Sequence, residues 1–293
     1  MQSKKVIAIV GPTGSGKTNW AINFAQKYDG KIISVDSRQI YRGFDTGTAK
    51  NKNHPQDLVD IINPDEMYSV AEFQKAAREL IDKYQKAHKL PILVGGTGLY
   101  MEALLYGYVL PELKEQSEKT KKSLEKLSDA ALYSKLQELD PKAAENIDPR
   151  NVRRVMRALE VTMLTGKPFS SQKKKRKSQY DTLIIGIKID RETLYSKIDA
   201  RVDKMITDGL VEEVRKLIEK YNPNLPAFNT IGYREIIDYI NGKQTLKEAV
   251  IKIKNNTHAY VRRQDTWFSR DKNIHWVEDL KSAEKLVEKF LKN

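Results

Sequence analysis

Along the first hundred positions, short continuous apolar runs alternate with stretches in which apolar residues recur at helical spacing. Residues 4–10, 31–35 and 91–94 are Ile- and Val-rich runs of the kind that form strands covered on both faces, and residues 58–62 read as a further short strand. Between them, residues 17–28 and 69–88 read as helices. The second is bounded by Ser69 and Glu72 at capping-box spacing and places Val70, Phe73, Ala77, Leu80, Ile81 and Tyr84 on one face. Strand and helix in alternation predict a parallel sheet that binds its ligands at the carboxyl ends of the strands.

From Pro111 to about Tyr180 the chain is charged and helical, without strand patterns, and it includes an amphipathic helix over 151–164. A strand pattern returns at 182–189. Helices follow at 191–207, 210–221, 233–240 and 246–267, with a loop at 222–226, a late strand at 274–277 and a closing helix from Ser282. The expected organisation is a core domain of residues 1–110 and 181–293 interrupted by an inserted all-helical domain, 111–180.

Composition narrows the function classes. Hydrophobic residues make up 40% of the chain and charged residues 31%, and no apolar run reaches the length of a membrane span. The first residues lead straight into a strand pattern instead of a signal peptide, so a cytoplasmic protein is expected. There is no cysteine, and the four histidines are scattered, which points any metal requirement toward a hard, oxygen-bound cation. The net charge of +13 is concentrated: residues 150–177 hold ten basic residues against the single acid Glu160. Lys173 to Lys177 suit a flexible basic loop, whereas Arg153, Arg154 and Arg157 project from the helix 151–164, as phosphate contacts on a polyanion do.

The most specific motif is Gly11-Pro12-Thr13-Gly14-Ser15-Gly16-Lys17-Thr18, placed between a strand and a helix. Such a loop turns backbone N–H groups inward around a diphosphate, Lys17 adds a cation, and Thr18 is positioned to hold Mg2+. The predicted class is therefore α/β: a P-loop-type parallel sheet flanked by helices, with the helical insertion. A nucleotide hydrolase of this type needs a second acid for its metal. The strand at 91–94 ends instead in Gly95-Gly96-Thr97-Gly98.

Asp36 follows the strand 31–35, expected to neighbour the strand before the loop, and emerges at the same sheet edge as a base or metal ligand, or as a turn aspartate. Ser37, Arg38 and Gln39 beside it are suited to reading nucleobase edges. Thr97 offers a hydroxyl where an acid would otherwise stand. Arg201, one turn past Lys197, is either a cation for a departing phosphate or a surface salt-bridge residue.

Gly11 to Thr18, Asp36 to Tyr41, Gly47-Thr48-Ala49-Lys50, Gly95 to Tyr100, Arg157 to Val161, Gly232-Tyr233 and Arg263 to Phe268 resemble, in this order, the blocks of the tRNA dimethylallyltransferase family across about residues 6 to 277. Two positions depart from the pattern: Ser269 stands where an arginine is usual, and Asn51 where a proline is. The resemblance implies transfer of a dimethylallyl group from dimethylallyl diphosphate to N6 of adenosine 37, just 3′ of the anticodon in tRNA. It implies Mg2+ as cofactor and Asp36, Thr97 and Arg201 as catalytic residues. Asp36, Ser37, Arg38, Gln39, Arg153, Arg154, Arg157, Thr230, Gly232, Tyr233 and Arg234 are implied as tRNA contacts at the anticodon stem-loop. The working unit is expected to be a monomer with no membrane partner. Three competing readings share the loop: an ATP-dependent small-molecule kinase, an adenylate dimethylallyltransferase acting on the free nucleotide, and an RNA-binding protein that uses the loop as a nucleotide switch.

Overall fold

The computed structural model describes residues 4–108, 116–172 and 180–293, so the basic run Lys173 to Lys177 lies outside the described residues. The chain divides into two compact units, Met1–Leu105 with Gln179–Asn293, and Tyr106–Ser178.

The first unit opens with β1 (Lys5–Val10), α1 (Lys17–Lys27), β2 (Gly30–Ser34), α2 (Val70–Lys86), β3 (Leu90–Val94) and α3 (Gly98–Leu105). The second unit holds α4 (Gln116–Leu124), α5 (Asp129–Leu139), α6 (Pro141–Asn146), α7 (Val152–Thr165) and α8 (Phe169–Gln172). Its core is formed by Leu124, Leu132, Leu136, Ile147, Val155, Ala158 and Leu159. Asn151 caps α7 by accepting the Arg154 N–H at 3.2 Å, and Gly166 ends it in the left-handed conformation. The first unit resumes with β4 (Asp181–Ile187), α9 (Arg191–Thr207), α10 (Leu210–Lys220), α11 (Tyr233–Ile240), α12 (Leu246–Phe268), β5 (Ile274–Val277) and α13 (Leu280–Lys292).

All the strand pairs are parallel, and the sheet order is β2-β3-β1-β4-β5. Pleating sends Val6, Ala8 and Val10 to one face with α2 and α3, while Ile7 and Ile9 face α1 and α13. With both faces covered, these strands carry continuous apolar runs rather than alternation. A third cluster joins α9, α10, α11 and α12 around Phe44, Phe228 and Tyr233.

Two sequence expectations need correction. Residues 58–62 form no strand: Leu58 and Asp60 sit at φ 62° and 55°, and only isolated bridges join Ile33 to Asp57 and Tyr41 to Ile62. The left-handed residues break the pleat, and the apolar side chains there serve the core. The strand before Asp36 is also not the neighbour of the strand before the glycine-rich loop. The α2 crossover puts β3 between them, so β3 and its Gly-Gly-Thr end flank the loop directly.

Candidate active site

The loop after β1 turns on a Ser15 N–H to Pro12 carbonyl bond of 3.3 Å and feeds α1 through Gly16, at φ 87°. Thr13, Gly14, Gly16, Lys17 and Thr18 line a cleft of about 700 Å3. Gly11, Pro12 and Ser15 of the same loop are buried and do not line the cleft. Lys17 Nζ donates to the Pro12 carbonyl at 2.6 Å. Burial pulls this ammonium down to about 8; Asp36 opposes the shift and Arg201 adds to it. Lys17, Arg201 and Asp36 therefore act electrostatically on one another although they come from three elements.

At the ends of β2 and β3 the backbone is fastened across the sheet. Val35 N–H donates to Val94 O at 2.7 Å, Gly95 N–H to Ile9 O at 3.2 Å and Thr97 N–H to Val35 O at 3.3 Å. A Cβ on Gly95 would collide with the Val35 carbonyl, and one on Gly96 with the Gln264 amide, which explains the two glycines there. Asp36 Oδ1 accepts the N–H groups of Arg38 at 2.8 Å and Gln39 at 3.3 Å. That satisfies the turn role, yet it occupies one oxygen only. Oδ2 has no protein hydrogen bond among the described residues, and Asp36 lines the cleft with Ser37, Arg38 and Gln39. Gln39 Nε2 is committed to Thr48 O at 3.0 Å, and Thr97 Oγ1 accepts the Ser37 N–H at 3.1 Å.

The opposite wall comes from α9 and α12. Arg201 lines the cleft and reaches Thr13 Oγ1 at 3.4 Å, so it is no surface salt-bridge residue; burial lowers its pKa and Asp36 opposes the shift. Ile198, Val202, Met205, Ile231 and Ile253 supply an apolar surface beside it. Gln264 on α12 is 4% exposed; its Oε1 accepts the Thr13 N–H at 2.8 Å and its Nε2 donates to Gly96 O at 3.0 Å. Tyr260, Arg263 and Trp267 complete the lining. None of these α12 side chains had a role assigned from sequence, because helical spacing marks a buried face without saying what lies across from it. The signal available was the polar Gln264 among the buried residues of α12.

The expected tRNA contacts at 230–234 divide. Thr230 lines the cleft, although its hydroxyl is spent on Ala227 O at 2.6 Å. Arg234 is partly exposed and holds Asn229 Oδ1 at 3.2 Å, while the buried Gly232 gives its N–H to Glu235 at 2.8 Å. Tyr233 must be corrected: it is fully buried, stacked on Phe44, and donates to Glu213 Oε1 at 2.6 Å. Glu213 also accepts the Thr46 N–H at 2.7 Å, and a Cβ on Gly47 would strike the Tyr233 ring. Tyr233 thus supports the turn 46–49, of which Gly47, Thr48 and Ala49 line the cleft, and its own side chain is fully buried.

In the second unit, Arg153, Arg154 and Arg157 are exposed on α7. Arg157 is paired with Glu160 at 2.7 Å; Arg153 and Arg154 have no ion pair among the described residues.

Oxygen donors suit a hard cation in the cleft. Thr18 lines it, and the described residues hold no group of three His, Cys, Asp or Glu that would cage a metal. This donor set fits Mg2+, which binds through one or two protein oxygens and takes its other ligands from substrate phosphates and water. No helix among the described residues is long and apolar enough to cross a membrane.

Comparison with known proteins identifies the family. The family pattern described as IPP transferase matches residues 39–271, and one described as isopentenyl transferase matches residues 4–59. A tRNA dimethylallyltransferase of Anoxybacillus flavithermus is 43% identical over 282 residues, covering 94% of this chain and 90% of that protein. The full-length tRNA isopentenylpyrophosphate transferase of Bacillus halodurans superposes with a TM-score of 0.74 at 37% identity, over 99% of this chain and 97% of that one. A eukaryotic dimethylallyltransferase acting on tRNA superposes with a TM-score of 0.81 at 28% identity, over 94% of this chain and 74% of that one. With the P-loop, Asp36 and Arg201 in one cleft and these relatives spanning nearly its whole length, the chain belongs to the IPP transferase family of tRNA dimethylallyltransferases.

Proposed function

We propose that this protein transfers the dimethylallyl group of dimethylallyl diphosphate to N6 of adenosine 37 of tRNA, releasing diphosphate. The observation that carries the reading is the meeting, in one cleft, of a diphosphate loop with Lys17 and Arg201, a carboxylate oxygen of Asp36 free of protein partners, and an apolar wall.

Each part has a task. As the allylic C–O bond breaks, positive charge grows on carbon and negative charge on the leaving diphosphate. The loop N–H groups, Lys17 and Arg201 stabilise that leaving group. Magnesium, when bound at Thr18, supplies further neutralisation of diphosphate charge. Ile198, Val202 and Met205 offer the apolar tail a water-excluding surface. Asp36 Oδ2 takes the proton that N6 loses as the C–N bond forms, a step worth roughly 100-fold or more. The Thr97 hydroxyl stands beside Asp36 as a hydrogen-bonding group. No water has to be activated against a γ-phosphate, so a second acid at the end of β3 is not needed.

The acceptor must be extruded from its stack to enter such a cleft. The exposed α7 arginines support contact with the tRNA backbone, which favours tRNA over free AMP. The working unit in this reading is a monomer acting in the cytoplasm.

The test offers labelled dimethylallyl diphosphate with unmodified tRNA, AMP or neither, and ATP labelled on its γ-phosphate in parallel. Label in N6-dimethylallyladenosine recovered from tRNA is expected. Faster labelling of AMP, or transfer from ATP, overturns the reading.

A further inference from the structure

Along α9 the side chains turned toward the phosphate loop and the cleft follow a fixed order. Leu194 and Ile198 press on the loop itself: a Cβ built on Gly14 would lie 3.3 Å from Leu194 Cδ1 and 3.0 Å from Ile198 Cγ1. Arg201 comes next and reaches Thr13 Oγ1 at 3.4 Å. Val202 and Met205 follow, and Met205 stands one turn, about 6 Å, beyond Arg201 on the same face of the helix. The cleft thus changes along α9 from a diphosphate end to an apolar end.

Three side-chain pairs hold α12 antiparallel against this helix. Arg262 Nη1 donates to the Tyr195 hydroxyl at 3.1 Å, His258 Nε2 lies 2.9 Å from Asp199 Oδ1, and Lys254 Nζ lies 2.8 Å from Asp203 Oδ1. Each step of four residues up α9 is matched by four down α12, which puts Ile253 in the same turn as Met205. Ile253 lines the cleft from its side, and Ile231, shortly before α11, lines it from another. Met205 is 7% exposed and Ile253 2%, and both belong to the core cluster of Leu210, Val214 and Phe228. The apolar end of the cleft is therefore backed by packed core.

A dimethylallyl chain held by its diphosphate at the loop and Arg201 has four carbons in a row from C1 to its terminal methyls. Laid along α9, it ends beside Met205. A second isoprene unit adds five carbons, which have to enter the space that Met205 and Ile253 fill. We infer that Met205, with Ile253 across from it, sets the length of the prenyl donor, ending the tail pocket after one isoprene unit and excluding longer allylic diphosphates. The inference rests on the prenyl-transfer reading and deepens it. The same C–O bond breaks and the same C–N bond forms with either donor, so only the fit of the tail is at stake.

Competition between dimethylallyl and geranyl diphosphate for unmodified tRNA tests it in the full-length enzyme, with the prenylated adenosine resolved by mass. Met205→Ala and Ile253→Ala each remove three non-hydrogen atoms, so the double variant opens space for the five carbons of an isoprene unit. Its ratio of kcat/KM for geranyl over dimethylallyl diphosphate should rise ~100-fold over wild type, and that of Met205→Ala alone ~10-fold. Met205→Phe shortens the pocket and should lower kcat/KM for dimethylallyl diphosphate ~10-fold. Inorganic diphosphate, measured as a competitive inhibitor, should bind every variant within about twofold of wild type, because the loop is untouched.

An unchanged donor ratio in the double variant, or dimethylallyl transfer by Met205→Phe at the wild-type rate, overturns the inference. Wild-type enzyme that takes geranyl diphosphate as readily as dimethylallyl diphosphate does the same. Diphosphate binding that weakens in step with prenyl transfer would leave Met205 only a structural role, and it too overturns the inference. Failure of the wild-type enzyme to prenylate tRNA from dimethylallyl diphosphate instead sinks the proposed reaction. If thermal melts show the double variant unfolded, Met205→Phe decides alone.

Discussion

Gln264 accepts the backbone N–H of Thr13 at 2.8 Å, and through its other amide atom it holds Gly96 O at 3.0 Å. A single buried side chain on α12 thereby pins the phosphate loop to the end of β3. Gln264→Leu removes both bonds from a site with little water to replace them, at about 1–3 kcal/mol per orphaned group. The expected result is a KM for dimethylallyl diphosphate raised ~10-fold or more and a lower melting temperature. Unchanged diphosphate affinity by calorimetry would show that the loop holds its shape without the clamp.

Asp36→Asn separates the two jobs of this residue. Asparagine keeps a carbonyl oxygen for the N–H groups of Arg38 and Gln39, so the turn after β2 should persist. The anionic oxygen is lost, and single-turnover rates should fall ~100-fold or more while diphosphate and tRNA still bind. Turnover near that of the native enzyme would exclude Asp36 as the base.

How far these roles were legible in the sequence depended on whether they are local. The loop from Gly11 to Thr18 is defined by contiguous residues, and Asp36 by its place directly after an apolar strand, so both stand out in the sequence. Gln264 and Arg201 act across gaps of 251 and 188 residues, through bonds to Thr13 and, for Arg201, through the field of Asp36. Spacing within α12 reports only which side is buried. Strand order was hidden for a related reason: the crossover through α2 decides that β3, not β2, adjoins β1. At 58–62 an apolar run resembled a strand because burial and pairing leave the same trace in composition.

The pH dependence should follow Lys17. Its pKa in the free enzyme is lowered to about 8, chiefly by burial, so the ammonium is present below that pH and lost above it. kcat/KM for dimethylallyl diphosphate reports the free enzyme and should therefore fall as pH rises through about 8. Bound diphosphate favours the charged lysine, which should leave kcat flatter over the same range. A kcat/KM profile that stays level to pH 10 would contradict this electrostatic environment.

Tyr233→Phe distinguishes scaffold from RNA contact. It leaves Glu213 without the phenol it accepts at 2.6 Å, and should cost about 1–3 kcal/mol of stability. In a protein of this size that lowers the melting temperature by several degrees. tRNA affinity, measured below the melting transition, should stay within about twofold of native. A large loss of tRNA binding with an unchanged melt would restore Tyr233 as an RNA-facing residue.

The arginines of α7 make separable predictions. Arg153 and Arg154 are exposed with no ion pair among the described residues, whereas Arg157 shares its charge with Glu160 at 2.7 Å. A free cation that meets a backbone phosphate releases about one counterion, so Arg153→Ala and Arg154→Ala should each weaken tRNA binding and flatten the slope of log K against log salt by about one unit. Arg157→Ala should flatten it less, because its pair with Glu160 already offsets part of its charge. Filter binding of tRNA over a range of salt concentrations reads all three slopes. Equal effects at the three positions would mean that the Glu160 pair opens on binding, and unchanged slopes at Arg153 and Arg154 would remove this face of α7 from the tRNA interface.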